Sequence, residues 1–224
     1  MSGLFVTGTD TGVGKTVVSC ALVAAFARRG RRVAVMKPCE TGGGDDAQRL
    51  IAASGRSLPL DDVSPYRFPL PASPEVAAQT ANARIELATI RAAYDRLTAD
   101  AQLTLVEGAG GILVPLTPEL AMVDLAAALA LPVLIVARPS LGTVNHTLLT
   151  IEAARRRSVR VLGVVFSRTA EPAGPDEPTN PAAIARDGEV PIFGTLPRVA
   201  ALDPATLASA AEQHLDLDRL AALL

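Results

Sequence analysis

The sequence predicts an α/β fold: a three-layer sandwich in which helices cover both faces of a mostly parallel sheet. Short, nearly continuous apolar segments such as Leu103-Thr104-Leu105-Val106 recur along the chain, with helix-length stretches between them. Strands that are apolar throughout, rather than at alternate positions, are those buried on both faces of a parallel sheet. The first such segment also runs into a glycine-studded loop. In sheets of this kind, ligands gather at the carboxyl ends of the strands.

At 224 residues the chain can bury a sizeable core, and with no internal repeat it reads as one domain over residues 1–224. There is no Trp and there are only five Phe and two Tyr, so Ala, Val and Leu must do the packing through tight helix–sheet contact. A formal charge of −2 offers no basic face to nucleic acid. Two cysteines, no signal peptide and no apolar run of eighteen residues point away from a disulfide framework or a membrane span and toward the cytoplasm.

Taken in order, Leu4-Phe5-Val6 is the first strand, and residues 17–29 follow as a helix on the spacing of Val18, Leu22 and Phe26. Gly30 is its stop. Residues 32–37 are the second strand. Residues 38–46 are too rich in glycine for regular structure and end in an N-cap for a helix over 47–53. The proline-rich stretch 57–73 reads as an irregular excursion, and 84–100 as a helix. Further strands fall at 103–107, 131–137, 159–166 and 191–195, with helices at 123–130 and 143–157. The proline-rich stretch 171–181 reads as a loop or lid, and a helical stretch closes the chain to Leu224.

The loop ends in Gly12-Val13-Gly14-Lys15-Thr16. Glycines let successive backbone N–H groups point inward at a phosphate, and the start of a helix adds its positive dipole end. Lys15 would neutralise the β- and γ-phosphates, and the Thr16 hydroxyl would ligate Mg²⁺. Five residues separate Gly8 from Gly14 where the usual motif has four, so Thr9 stands at the usual glycine position. Thr11, Lys37 and Glu107 also lie at strand ends. Mg²⁺ takes oxygen ligands with one or two carboxylates, which Thr16, Asp46 and Glu107 would supply; neighbouring Asp45 could take the role of Asp46. Two lysines and a metal in one pocket suit a heavily anionic ligand.

On these motifs the chain resembles the dethiobiotin synthetases. The likeness runs from Val-Thr-Gly-Thr-Asp-Thr-Gly-Val-Gly-Lys-Thr at 6–16 through Lys37-Pro38, Glu107-Gly-Ala-Gly-Gly111 and Leu141-Gly-Thr-Val-Asn-His146 to Leu196-Pro197. The displaced glycine is also a feature of that family. The resemblance implies a P-loop NTPase fold, a homodimer, and ATP- and Mg²⁺-dependent closure of 7,8-diaminopelargonate with CO₂ into dethiobiotin, in biotin synthesis. It implies catalytic roles for Lys37, Lys15 and Thr11. Nucleotide contacts would come from Gly12, Val13, Gly14, Lys15, Thr16, Val17, Asp46, Glu107, Gly108, Ala109, Gly110, Ser167, Pro197, Arg198 and Val199. Substrate contacts would come from Thr41 and, across the dimer, from Leu141, Gly142, Thr143, Val144 and Asn145. Metal ligands would be Thr16, Asp46 and Glu107.

Two departures stand out. Gly12 occupies a position where many members carry an acid, and Ser167-Arg168 replaces an asparagine expected to read the base, which predicts relaxed base selectivity. His146 is expected to fix its loop and His214 to be structural. The rival reading is a partition-type ATPase switch. Its signature lysine would stand where this chain has Asp10.

Overall fold

The computed structural model describes residues 2–169, 174 and 177–224. Its strands are β1 (Ser2–Gly8), β2 (Val33–Met36), β3 (Cys39–Thr41), β4 (Tyr66–Phe68), β5 (Leu103–Gly111), β6 (Val133–Ala137), β7 (Val161–Ser167) and β8 (Ile192–Leu196). Six of them form one parallel sheet in the order β2-β5-β1-β6-β7-β8, and β3 and β4 form a small parallel pair. The helices are α1 (Lys15–Arg28), α2 (Asp46–Ser54), α3 (Leu60–Val63), α4 (Pro74–Thr80), α5 (Leu87–Thr98), α6 (Met122–Ala128), α7 (Thr143–Arg156), α8 (Asn180–Gly188), α9 (Pro204–His214) and α10 (Leu217–Ala222).

The α/β sandwich expected from the apolar strands is the fold observed. Leu4, Phe5 and Val6 of β1 and all five residues of β6 are buried, as strands covered on both faces must be. From β1 the chain passes through α1 to β2 on one side; from β6 it passes through α7 to β7 on the other. Right-handed crossovers in opposite directions put α1 and α7 on opposite faces, and they open a crevice between β1 and β6 at the carboxyl ends. The glycine loop leaves β1 at that switch point. Helix α1 is buried from Val18 to Phe26 on every side, because it packs on the sheet and is itself covered by α2 and α9.

Gly30 stops α1 as expected: at φ 83° its N–H bonds the Ala27 carbonyl, and Arg31 N–H reaches Phe26. Several expectations are corrected. The stretch 38–46 holds the strand β3, because Cys39, Glu40 and Thr41 pair with Tyr66, Arg67 and Phe68. The excursion 57–73 therefore contains β4 as well as α3; proline at 65 sits before the strand, where no ladder donor is lost. The helix expected from residue 84 begins at Leu87, since the Glu86 N–H is taken by the Tyr66 hydroxyl at 2.9 Å. Helices α4 and α8 were not anticipated, and the final helical stretch is two helices, broken at Leu215 and restarted by the Asp216 side chain on Arg219 N–H. Most of the loop expected at 171–181 lies outside the described residues, and α8 already begins within it at Asn180. Among the described residues no helix is long and apolar enough to cross a membrane.

Candidate active site

The turn out of β1 depends on glycines for two different reasons. At Gly8 the need is space: a Cβ there would lie 2.6 Å from the Asp10 carbonyl oxygen and 2.8 Å from Val13. At Gly12 (φ 72°) and Gly14 (φ 92°) the need is left-handed backbone. Gly14 is the N-cap of α1 and supplies no side-chain cap, so the first N–H groups of the helix are left for an anion. Lys15 opens the helix and folds back, its Nζ donating to the Asp10 carbonyl at 3.1 Å. Burial pushes its pKa down, partly offset by Glu107 and reinforced by Lys37.

Lys37 follows β2 and is the hub of the site. Its Nζ lies 2.6 Å from Glu107 Oε1 and 2.9 Å from Asp46 Oδ2, and the Thr16 hydroxyl donates to the same Glu107 oxygen at 2.9 Å. Burial pushes the Lys37 pKa down, but Glu107 and Asp46 outweigh it and hold the ammonium above its ordinary range. Asp46 is likewise penalised by burial, yet Lys37 holds its carboxyl below the usual range. Glu107 is fully buried in β5, and its Oε2 has no hydrogen-bond partner among the described residues. The strand continues past it to Gly111, so Glu107 lies within β5 opposite Val6 rather than at its end.

These groups line or underlie one cavity of about 320 Å³, whose wall includes Thr11, Gly12, Gly14, Lys15, Thr16, Val17, Lys37, Thr41, Asp46, Ala109 and Gly110. Val13 points into the core instead, and Gly108 is pressed against the Phe5 ring, so each contributes backbone only. Ser167 packs on the loop: a Cβ at Gly14 would fall 2.2 Å from its Oγ. Of the two neighbouring aspartates, Asp46 faces Lys37, whereas Asp45 is turned outward to Arg49 at 2.7 Å. Asp46 was expected to cap α2; it is instead the first helical residue, and the N-cap, Asp45, makes no side-chain cap bond.

Two expected groups lie apart from this cavity. Pro197 borders a separate one beside α9, with Arg198 exposed. The segment 141–145 sits at the start of α7, where Gly142 (φ 90°) is the N-cap and Leu141 is 89% exposed. Sequence reasoning missed Cys39 on the cavity wall and Pro71, Ala72, Ser73 and Pro74, which wall an adjoining cavity of about 390 Å³ shared with Thr11, Thr41, Ala109 and Gly110. Burial pushes the Cys39 thiol up to about 12, so it stays protonated at neutral pH and is no nucleophile. Nothing in a proline-rich run marked those residues as a wall, since only the β3–β4 pairing brings them there.

A parallel sheet with a glycine loop and Lys-Thr helix start at its switch point defines a P-loop nucleotide-binding protein. The solved structures agree on the fold: the MinC:MinD cell division complex of Aquifex aeolicus matches with a TM-score of 0.64 at 15% identity, covering 100% of this chain and 96% of that one. The signal recognition particle 54 kDa protein of Aeropyrum pernix, in complex with GDP, matches at 0.60 and 17% identity, covering 99% and 48%. A family model described as an AAA domain matches residues 2–206. The ATP-dependent dethiobiotin synthetase of Anaeromyxobacter dehalogenans (strain 2CP-C) is 50% identical over 190 residues, 83% of this chain and 85% of its own length. That of Bacillus subtilis (strain 168) is 36% identical over 225 residues, 98% and 97%. The chain belongs to the ATP-dependent dethiobiotin synthetase family, whose members are ligases.

Proposed function

We propose that the chain, a single domain over residues 1–224, uses ATP to join 7,8-diaminopelargonate and CO₂ into dethiobiotin in biotin biosynthesis, in the cytoplasm. The observation that carries this reading is the Lys37 ammonium held between Asp46 and Glu107, on the wall that the phosphate loop shares with a second, Thr41-lined cavity. A binding switch of partition type needs no such second chamber, and likeness to MinD at 15% identity speaks for the fold alone.

The chemistry runs in three steps. One amine attacks CO₂, forming an N–C bond and releasing a proton, and leaves a carbamate. A carbamate oxygen attacks the γ-phosphorus of ATP, and the bond to the ADP oxygen breaks. The second amine attacks the carbonyl carbon, losing a proton as the C–O bond to phosphate breaks and the cyclic urea closes. Each step creates or moves negative charge, which Lys15, Lys37 and the free N–H groups of α1 are positioned to stabilise without reorganising. No side chain need bond covalently to the substrate.

The residues present fit Mg²⁺. They offer oxygen donors only, in the Thr16 hydroxyl and the carboxylates of Asp46 and Glu107, and the unpartnered Glu107 Oε2 is a buried acceptor that a cation would satisfy. Among the described residues no cluster of three or more His, Cys, Asp or Glu stands ready to hold a metal, as suits an ion that relies on phosphate and water for its other ligands. When bound, the ion would neutralise the β- and γ-phosphate oxygens. Ser167, packed on Gly14 with one short hydroxyl, supports broad acceptance of nucleotide bases, and Arg198 and Val199 would border the base. In a homodimer the start of α7, where Leu141, Gly142 and Asn145 are exposed and the N-cap Gly142 brings no side-chain cap, would offer free N–H groups to the substrate carboxylate of the partner subunit.

The test is phosphate release from ATP with Mg²⁺ and bicarbonate. Release is expected only when diaminopelargonate is added, and Lys37→Gln is expected to lower the rate by about 10²-fold or more, as loss of a preorganised charge does. Release independent of the diamine would overturn the reading.

A further inference from the structure

We infer that Glu40 is a positioning residue, which holds Asp46, and through it Lys37, in place by gripping the start of α2. The inference rests on the reading that Asp46 is a metal ligand. Along β3, Cys39 and Thr41 face the nucleotide cavity, and Glu40, between them, does not line it. Its side chain is buried, and Oε1 accepts the backbone N–H of Asp46 at 2.6 Å. That N–H belongs to the first residue of α2 and is one of the free donors at the helix N-terminus, and the N-cap Asp45 makes no side-chain cap bond, its carboxylate being turned to Arg49. A carboxylate from another element thus satisfies one of the helix's free donors, where the helix dipole favours it.

The connection between β3 and α2 is 42–45, three glycines and Asp45, in which Gly42 (φ 86°) and Gly43 (φ 64°) are left-handed. Such a run has wide conformational freedom and cannot by itself set the height or direction of α2. Gly44 also passes close enough that a Cβ would lie 3.2 Å from Glu40 Oε1, so the chain is built to approach this carboxylate. Beyond the contact, Asp46 Oδ2 meets Lys37 Nζ at 2.9 Å, which makes the order Glu40, Asp46 backbone, Asp46 carboxylate, Lys37.

Stability alone does not account for Glu40. Its Oε2 is buried with no hydrogen-bond partner among the described residues, and a half-satisfied buried carboxylate is a costly way to close a helix. What it supplies is direction, since a single strong acceptor fixes where the first turn of α2 begins. Partners that orient a metal ligand in this way cost about 10- to 100-fold in metal affinity or rate when removed.

The experiment uses the full chain, with Mn²⁺ as the probe and free Mn²⁺ counted by electron paramagnetic resonance in the presence of ATP. Glu40→Leu, which keeps bulk and removes the acceptor, is expected to bind Mn²⁺ about 10- to 100-fold more weakly, and Glu40→Gln, which keeps the acceptor oxygen, to stay within about threefold of the parent. In turnover the Leu variant is expected to lose kcat by a similar factor with the KM for diaminopelargonate little changed. Asp46→Asn separates the two ideas: if it binds Mn²⁺ like the parent, the metal reading itself fails. If Asp46→Asn loses Mn²⁺ while Glu40→Leu binds it normally, the positioning role is overturned. Should the Leu variant not fold, the Gln variant decides, because weakened Mn²⁺ binding there would mean that the acceptor oxygen is not what matters.

Discussion

Lys37 and Glu107 are a buried pair in which each charge is tolerated because the other is present, and half-buried Asp46 adds a second carboxylate to Lys37. Taking any of them out of water is expensive, and the contacts at 2.6 and 2.9 Å offset that cost. The pKa shifts give this a pH signature. Burial raises the Asp46 pKa, but Lys37 lowers it below the free value of 3.8, so the pair adds stability above that pH and loses it as pH falls through the folded-state value. For Lys37 the sign is opposite: despite burial its pKa is raised by Glu107 and Asp46 above 10.5, so its contribution is present below that pH and is lost as pH rises past the folded-state value. Urea unfolding without nucleotide or divalent ions is therefore expected to show a constant stability gap between the parent chain and Asp46→Asn from about pH 5 to 9, closing below about pH 4. A gap unchanged at about pH 3 would mean that the Asp46 charge is not what binds Lys37. The sequence identified these residues by type and strand-end position. Which of Asp45 and Asp46 turns inward followed only from the fold, because neighbours on a helix point in different directions.

At the scale of elements, the β1–loop–α1 unit is set almost wholly by local chemistry. The apolar strand, left-handed glycines, helix start and Gly30 stop all follow from backbone rules acting within thirty residues. Gly14→Ala brings together two penalties at one atom: a left-handed φ of 92° and a Cβ pressed on Ser167 Oγ. The backbone term alone is about 1–2 kcal/mol, so the variant is expected to melt several degrees lower and to bind ATP more weakly, read by thermal unfolding with and without nucleotide. A melting temperature that still rises with ATP as in the parent would show that the loop adapts. The segments 38–46 and 57–73 behaved differently. Each looks like loop on its own, because three-residue strands and one-turn helices leave no periodicity to read; β3 and β4 exist because they pair with each other.

At the scale of the molecule, the strand order β2-β5-β1-β6-β7-β8 gathers the segments that follow β1 and β2 and the end of β5 around one cavity, so that Thr16 and Glu107 hydrogen-bond although they lie 91 positions apart in the chain. The same arrangement leaves Leu113, Leu141 and Leu149 exposed, two of them lining a cavity beside Thr9, Asp10 and Thr11. Exposed leucines beside a phosphate loop suit a subunit contact, in keeping with the proposed homodimer. Light scattering is expected to report twice the mass of one chain, and Leu149→Glu to shift it toward one chain; a parent that runs as a monomer would remove the shared-site proposal.

By itself the sequence determined the fold class, the phosphate loop and the identity of most of the polar groups of the site, because apolar runs, glycine conformations and helix stops are governed by interactions between near neighbours in the chain. Only the tertiary structure decided which carboxylate meets Lys37, that Glu40 grips α2 from behind, and that a proline-rich run walls the second chamber. Those outcomes depend on contacts between distant segments, whose geometry is set by the order in which the sheet pairs its strands and by the pairing of the buried Lys37 and Glu107 charges.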